Sequence, residues 1–181
     1  PKTEIGECFV FLTMKAISPI EDEVDFFTDQ VSFLLRENLL ISFHESELTM
    51  FDLVYKRMQN PESRFRTSGL DYLLYALVDV IVDHYFRVME NIAEVIDSSE
   101  DAVMKHSDEN ILIETQQLKK DLLLLRKAVF PLREALNTLI KTEGSLISTN
   151  QKAYFNDVYD HVMHVYETIE HYRDLVSGLK D

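Results

Sequence analysis

The sequence has few residues that interrupt regular secondary structure. Only four glycines and four prolines occur among its 181 residues. Because so few chain breakers allow few turns, we expect long elements, and long elements favour helices. Hydrophobic residues make up 46% and charged residues 28% of the chain, which is the composition of a folded protein. A chain of this length can bury a sizeable core, in one domain or in one domain with an extension.

Cysteine and long apolar runs are scarce as well. The lone cysteine, Cys8, can form neither an intrachain disulfide nor a cysteine-based zinc site. It lies in the apolar segment ECFVFLTM, so we expect a buried structural thiol. No apolar run reaches the roughly 18 residues of a membrane-spanning helix, and the start PKTEIGE is unlike a signal peptide. The chain lacks an initial Met and stops at SGLKD, so we expect a piece of a longer protein.

Positive charge is also in short supply. Lysine and arginine number 18 against 32 aspartates and glutamates, and the formal net charge is −14. This balance argues against nucleic-acid binding and against electrostatic docking on anionic lipid. It permits attraction of cations, although it also serves simply to keep a protein soluble. The sequence has no nucleophile–histidine arrangement, glycine-rich phosphate loop or HEXXH motif, so we predict that it is not an enzyme.

The first third of the chain has the pattern of a small sheet. Residues 7–17 are apolar and β-branched and predict a strand. Two further apolar runs, 30–35 and 39–44, flank the polar segment RENL and predict a hairpin. A short helix is expected from about 49 to 59, where Asn60-Pro61 ends it, and a polar linker follows to residue 68.

Three long helices are predicted after residue 68. The first starts with a sequence typical of a capping box, Ser68 to Asp71, and continues to about His106. Asp108 can cap the second, whose apolar residues recur every three or four positions around Pro131. The short link between these helices predicts antiparallel neighbours. Gly144 ends the second helix, and Ser148 with Gln151 starts a third that runs to the C-terminus.

The third helix carries a polar face beside its apolar stripe. At 100° per residue, one side of the helix collects the following residues: Asp157, Asp160, His164, Glu167, His171 and Asp174. Carboxylates suit Mg²⁺, and imidazole suits Zn²⁺ or Co²⁺. One helix face offers too few ligands to close a metal site, so a second element or subunit would be needed. The alternative is a solvated polar face.

The first long helix has two acidic features. One is a stripe that we expect to face solvent and to raise the local cation concentration; it consists of Glu90, Glu94, Asp97 and Asp101. The other is the pair Asp79 and Asp83 in LVDVIVDHYF, which apolar residues flank on both sides. A partly buried carboxylate pair needs a proton, a polar or basic partner, or a metal ion.

Three segments resemble the cytoplasmic domain of the CorA family of divalent-cation channels. They are DYLLYALVDVIVDHYF (71–86), LKKDLLLLRKAVFPLREALNTL (118–139) and YFNDVYDHVMHVYETIEHYRDLVSGL (154–179). Weaker similarity extends through SFHE and TMFDLVYKRMQN to residue 1. The last segment, with DVYDH before ETIE and YRDLVSGL, is the most specific.

The resemblance implies an α+β fold in three parts. Residues 1–66 would be the C-terminal part of an αβα sheet domain, and 67–147 an acidic antiparallel helix pair. Residues 148–181 would be a stalk helix that, in the family, continues into a membrane helix ending near a GMN motif. This sequence contains no GMN, so we expect it to stop before the membrane.

The resemblance also implies a regulatory metal site and an assembly. In the family, Mg²⁺ binds between neighbouring subunits of a homopentamer and closes the pore. Asp157 matches the stalk-helix carboxylate of that site, Asp79 matches a carboxylate at a second cation position, and Asp83 lies one turn further on. The family's partner carboxylates precede the segment that begins here with Pro1-Lys2, so this chain would hold half a site. We therefore expect this chain to be a monomer or weak oligomer.

Two other interpretations stay open. The transported ion would be Mg²⁺, Co²⁺ or Ni²⁺, but the related ZntB-type transporters share the fold and favour Zn²⁺. A soluble helical interaction protein without a transport role is the alternative from another class. A hydrophobic run of about 20 residues and a GMN motif past residue 181 would favour transport. The intact protein would then lie at the cytoplasmic face of the inner membrane, in contact with it only through C-terminal helices.

Overall fold

The N-terminal part of the chain forms a four-stranded antiparallel sheet in the computed structural model, which describes residues 1–20, 26–104, 108–144 and 146–178. Its strands follow chain order: β1 (Lys2–Ile5), β2 (Val10–Pro19), β3 (Phe26–Arg36) and β4 (Leu39–Phe43). Alternate residues of β2 and β3 are buried against the helices, as the period of two requires when one face covers the core.

The predicted hairpin is confirmed, but the strand predicted over 7–17 is wrong in extent. Arg36 pairs with Leu39, so only Glu37 and Asn38 form the turn between β3 and β4. The N-terminal segment instead makes two strands, because residues 6–9 form a turn in which the Gly6 N–H donates to the Phe9 carbonyl at 2.9 Å.

Cys8 lies on this same turn, and its side chain is exposed. The prediction of a buried structural thiol is therefore wrong. Hydrophobic neighbours in the sequence suggested burial, but a turn residue projects from the end of the sheet instead of into the core.

The helix predicted over 49–59 is confirmed as a 3₁₀ turn (Thr49–Phe51) that leads into α1 (Asp52–Gln59). The polar segment after it contains a second 3₁₀ turn, Arg64–Arg66. Arg64 lies over the rings of Tyr72 and Tyr154, at 4.9 and 5.0 Å from their centroids. The segment thus packs on the helices that follow it.

Three long helices complete the fold: α2 (Leu70–Met104), α3 (Asp108–Lys141) and α4 (Thr149–Gly178). Their predicted apolar stripes are buried almost throughout. The stripe of α3 is fully buried from residue 118 onward, at Leu118, Leu122, Leu125, Val129, Leu132, Leu136 and Leu139. Ile111 and the link at 105–107 lie outside the residues whose surroundings are described.

Contacts along the helices give their directions. Tyr75 of α2 packs on Tyr154 of α4, and further along Phe86 packs on His164, so these two helices run parallel. Arg126 of α3 pairs with Glu170 of α4, whereas Lys152 bonds to the Thr142 carbonyl. α3 is therefore antiparallel to both α4 and α2, as predicted.

A buried carboxylate joins the starts of α2 and α4. Asp71 accepts hydrogen bonds from the backbone N–H of Tyr72 at 2.9 Å and of Ser148 at 3.0 Å. The Ser68 N–H donates to the Arg64 carbonyl, so the capping box predicted at 68–71 is not formed. At α4 half of the predicted box exists, since the Gln151 N–H donates to the Ser148 hydroxyl at 3.4 Å.

No helix within the described residues is both long and apolar enough to cross a membrane. The apolar stripes of α2, α3 and α4 lie beside charged faces, and the buried residues of each stripe pack within the chain.

The Asp71→Ala substitution tests the connection between the two helix starts. It removes the acceptor of two backbone N–H groups, so we expect the free energy of unfolding to fall by about 1–2 kcal/mol. Urea denaturation measures the change. Glu45→Ala, at an exposed loop residue, should change it by less than about 0.5 kcal/mol. Equal effects of the two substitutions would contradict this role of Asp71.

Candidate functional site

Aromatic packing between α2 and α4 fixes the position of Tyr75. Its ring lies 5.0 Å from that of Tyr154 and 6.1 Å from that of the buried Phe155. Tyr72 packs on the same Tyr154 ring at 5.9 Å. Because these rings hold Tyr75 on one side of the seam between α2 and α4, which is called the groove, its hydroxyl reaches the next turn of α2.

Asp79 is the acceptor for that hydroxyl. The Tyr75 OH donates to Asp79 Oδ2 at 3.4 Å. Asp79 is half-buried, and burial is the largest cause that raises its pKa above the usual carboxyl value. The negative charges of Asp83 and Asp157 raise the pKa further, whereas His161 and the Tyr75 hydrogen bond oppose the rise. Ionisation of the Asp79 carboxyl group is therefore electrostatically unfavourable.

Asp83 and Asp157 are both exposed, one on α2 and one on α4. Both influence the pKa of Asp79, so the three residues predicted from the sequence face the same groove between the helices. The pKa of Tyr75 indicates the same arrangement. Burial raises it most, Asp79 raises it further, and Asp157 makes a smaller contribution in the same direction. The groove therefore brings Asp157 close to Asp79 and Asp83, which lie 78 and 74 positions earlier in the chain.

These carboxylates do not converge into a complete metal site. Within the described residues, no group of three or more His, Cys, Asp or Glu side chains is placed to hold a metal ion. Mg²⁺ keeps several of its waters and often takes only one or two protein carboxylates. A divalent ion at these carboxylates would therefore need further ligands, from water or from outside the described part of this chain.

Tyr75 and His161 belong to the site, although sequence reasoning gave neither of them a role. Tyr75 and Asp79 are four residues apart on a predicted helix, and this spacing could have indicated a contact between their side chains. His161 and His164 both pack on Phe86, with ring centroids 5.9 and 5.8 Å apart from it. This contact holds the His161 ring beside Asp79, where its charge opposes the burial effect.

The wider polar face of α4 is exposed, as the helical spacing predicts. Its members are Asp157, Asp160, His164, Glu167, His171 and Asp174. The α2 stripe is exposed too at Glu90, Glu94 and Asp97, whereas the side chain of Asp101 lies outside the described residues. Burial raises the pKa of Tyr172 on α4, and Asp97 and Glu90 add to the rise, so the stripe extends along the edge of the same groove.

The cost of ionising Asp79 predicts a pH dependence of stability in metal-free buffer. Because its folded pKa lies above the unfolded value, stability should fall as pH rises from the usual carboxyl range through the raised pKa. Asp79→Asn cannot ionise and should escape this loss, so its stability relative to wild type should grow with pH. Denaturation curves at several pH values measure the difference. Asp160→Asn, at an exposed position, is the control, and an equal pH trend in both variants would contradict the expectation.

Comparisons with known proteins identify the family of this chain. The family model described as CorA-like Mg²⁺ transporter protein matches residues 1–181. The cobalt/magnesium transport protein CorA of Thermotoga maritima is 38% identical over 181 residues, which is all of this chain and 52% of that protein. This chain thus spans about half the length of that relative.

Solved structures show the same fold. The soluble domain of CorA from Methanocaldococcus jannaschii matches with a TM-score of 0.88 and 22% identity, over 100% of this chain and 72% of that one. The ZntB cytoplasmic domain from Vibrio parahaemolyticus matches with a TM-score of 0.83 and 18% identity, over 100% and 70%. With the family model covering the whole chain and a relative well above 30% identical, the chain belongs to the family of CorA-like Mg²⁺ transporter proteins.

Proposed function

We propose that this chain is the cation-sensing part of a divalent-cation transporter and that Asp79, Asp83 and Asp157 contribute to its regulatory site. The observation that carries the proposal is the half-buried Asp79, whose pKa is raised by burial and by the two other carboxylates across one groove. A carboxylate whose ionised form is destabilised by burial and by neighbouring negative charges is stabilised strongly by a bound cation.

Residues of this chain position the Asp79 carboxyl group toward the proposed cation. Tyr75 orients Asp79 by its hydrogen bond, and the aromatic packing around Tyr75 keeps the carboxyl in the groove. Asp83 and Asp157 stay exposed, where they can reach a hydrated ion or an adjacent subunit. A bound divalent cation would supply the positive charge that offsets their mutual repulsion.

The remaining ligands would come from a neighbouring subunit. The groove is an incomplete site within the described part of this chain, and exposed carboxylates on α4 favour a site shared between copies. In the intact protein we propose a homopentamer that the bound ion holds in a symmetric arrangement. High internal Mg²⁺ would then favour the symmetric, closed pore.

The proposed cargo is Mg²⁺ or Co²⁺, since the curated relative with 38% identity is named for transport of these ions. Ni²⁺ fits the same carboxylate chemistry. The fold similarity to a ZntB domain leaves Zn²⁺ as the second candidate. As part of a membrane transporter, the chain would lie at the cytoplasmic face of the inner membrane.

In an intact subunit, we expect Asp157→Ala to weaken Mg²⁺-dependent closure with little effect on folding. The substitution removes both a ligand and a source of repulsion, so the closed state should lose its dependence on the ion. Mg²⁺ protection against proteolysis measures this. Asp174→Ala, at another exposed carboxylate of α4, is the matched control. Protection of Asp157→Ala equal to wild type at every Mg²⁺ concentration would remove Asp157 from the sensor.

For this chain alone, we predict a monomer or a weak oligomer in dilute solution. Half of a shared metal site cannot hold subunits together, and exposed surface ion pairs add little. Sedimentation velocity at micromolar concentration, with and without Mg²⁺, tests the prediction. A stable pentamer in the absence of divalent ions would show that other contacts dominate the assembly.

A further inference from the structure

A cavity of about 820 Å³ lies at the end of the sheet where strands and helices meet. Its walls come from the β1–β2 turn, the β3–β4 turn, the start of α2, the link between α3 and α4, and the first turn of α4. Small-molecule sites have volumes of roughly 300–1,000 Å³. The lining includes none of the three carboxylates of the groove, so the cation-site proposal leaves this cavity without a function.

Two polar residues of the lining, Asp71 and Gln151, are buried, at 8% and 7% exposure. Each oxygen of the Asp71 carboxylate accepts one backbone N–H, from Tyr72 or from Ser148, and so keeps the capacity to accept another. The amide oxygen of Gln151 is enclosed and has no donor within the described part of the chain. Because a buried acceptor without a donor is unfavourable, this part of the cavity favours a ligand that donates hydrogen bonds.

The rest of the lining combines apolar side chains with an exposed, charged opening. Four leucines line the cavity, and their exposure rises from buried to exposed in this order: Leu35, Leu70, Leu146 and Leu39. Apolar surface therefore extends from the buried part of the cavity to its opening. A methylene chain that covers it would be stabilised by the burial of apolar area. The lining thus fits a ligand with an aliphatic body and polar ends.

Charge in the lining favours a cation at those polar ends. Three carboxylates, of Glu7, Glu37 and Asp71, face one guanidinium, that of Arg36. None of these four residues forms an ion pair within the described part of the chain. An ammonium group would balance the excess negative charge and would donate the N–H bonds that Asp71 and Gln151 can accept.

The arrangement of these acids favours an extended cation over a metal ion. Among the residues that the structure describes, no group of three or more His, Cys, Asp or Glu side chains is placed to hold a metal. Asp71 is buried, whereas Glu7 and Glu37 are exposed at the opening. The carboxylates therefore do not converge on one point, and a chain with an ammonium group at each end can reach both parts of the cavity.

We propose that this cavity binds an aliphatic diamine or polyamine. One ammonium group donates to Asp71 and Gln151, the methylene chain lies along the leucines, and a second ammonium group pairs with the exposed carboxylate of Glu37. The site is separate from the groove and does not rest on the proposed divalent-cation site. An α-amino acid, which would pair its carboxylate with Arg36, is the alternative that the experiment must exclude.

Cys8 provides a reporter for the cavity. It is the single cysteine of the chain, its side chain is exposed, and it lines the cavity. A bound ligand should therefore shield its thiol from iodoacetamide, a small neutral alkylating reagent. In EDTA, saturating 1,5-diaminopentane should slow alkylation of Cys8 about tenfold, because thiol reactivity depends on access.

Two control ligands identify the chemistry that the cavity recognises. Tetramethylammonium at equal ionic strength carries positive charge without an N–H donor and should leave the alkylation rate unchanged. Norvaline, an α-amino acid with a chain of the same length, should protect Cys8 far less than the diamine. Absence of protection by the diamine, or equal protection by either control ligand, would overturn the proposal. Because EDTA is present throughout, this outcome is separate from the success or failure of the divalent-cation site.

Substitutions in the lining add a second readout. Gln151→Leu removes the unpartnered acceptor at similar volume and should raise the diamine concentration for half-protection about tenfold. Glu37→Gln, at an exposed position, should raise it about threefold. Glu62→Gln makes the same charge change at an exposed residue outside the lining and should have no effect. Circular dichroism verifies folding. Unchanged protection in a folded Gln151→Leu variant, or equal protection in the two glutamate variants, would contradict the proposed site.

Discussion

Burial of one side of α4 between α2 and α3 sets the arrangement of the helical layer. Six apolar side chains of α4 are fully buried, and each contributes roughly 1.5–3 kcal/mol when it leaves water: Phe155, Val158, Val162, Val165, Ile169 and Val176. Because this contact fixes α2 and α4 as parallel neighbours, it brings residues near 79 and 157 to one groove. Half-burial of Asp79, and hence its raised pKa, is a by-product of the same packing.

The same contact divides the chain into surfaces of different charge. With their apolar sides turned inward, α2 and α4 present carboxylates, and α3 presents lysine and arginine. The proposed divalent-cation site lies where carboxylates from α2 and α4 meet.

Periodic features were predictable from the sequence, and features set by distant contacts were not. The three long helices and the hairpin follow from local apolar spacing and a two-residue turn. β1 was missed because its four residues, with Lys2 and Glu4 exposed, carry no apolar run. Asp71 was assigned to a local cap but bonds to Ser148, and no local pattern could indicate that partner. For the site, the residue pattern singled out the Asp79–Asp83 pair and the polar face that contains Asp157, and the family resemblance assigned these residues to cation positions. Their roles as cation ligands stay a prediction.

Direct titration of the Asp79 carboxyl carbon by NMR tests the central claim, that this groove senses divalent cations through a carboxylate that is costly to ionise. In EDTA, its pKa should lie above the usual carboxyl range, as burial and the neighbouring charges require. Saturating Mg²⁺ should lower that pKa, because a bound cation favours the ionised form. A pKa in the usual range, or one that Mg²⁺ leaves unchanged while the protein stays folded, would contradict the account.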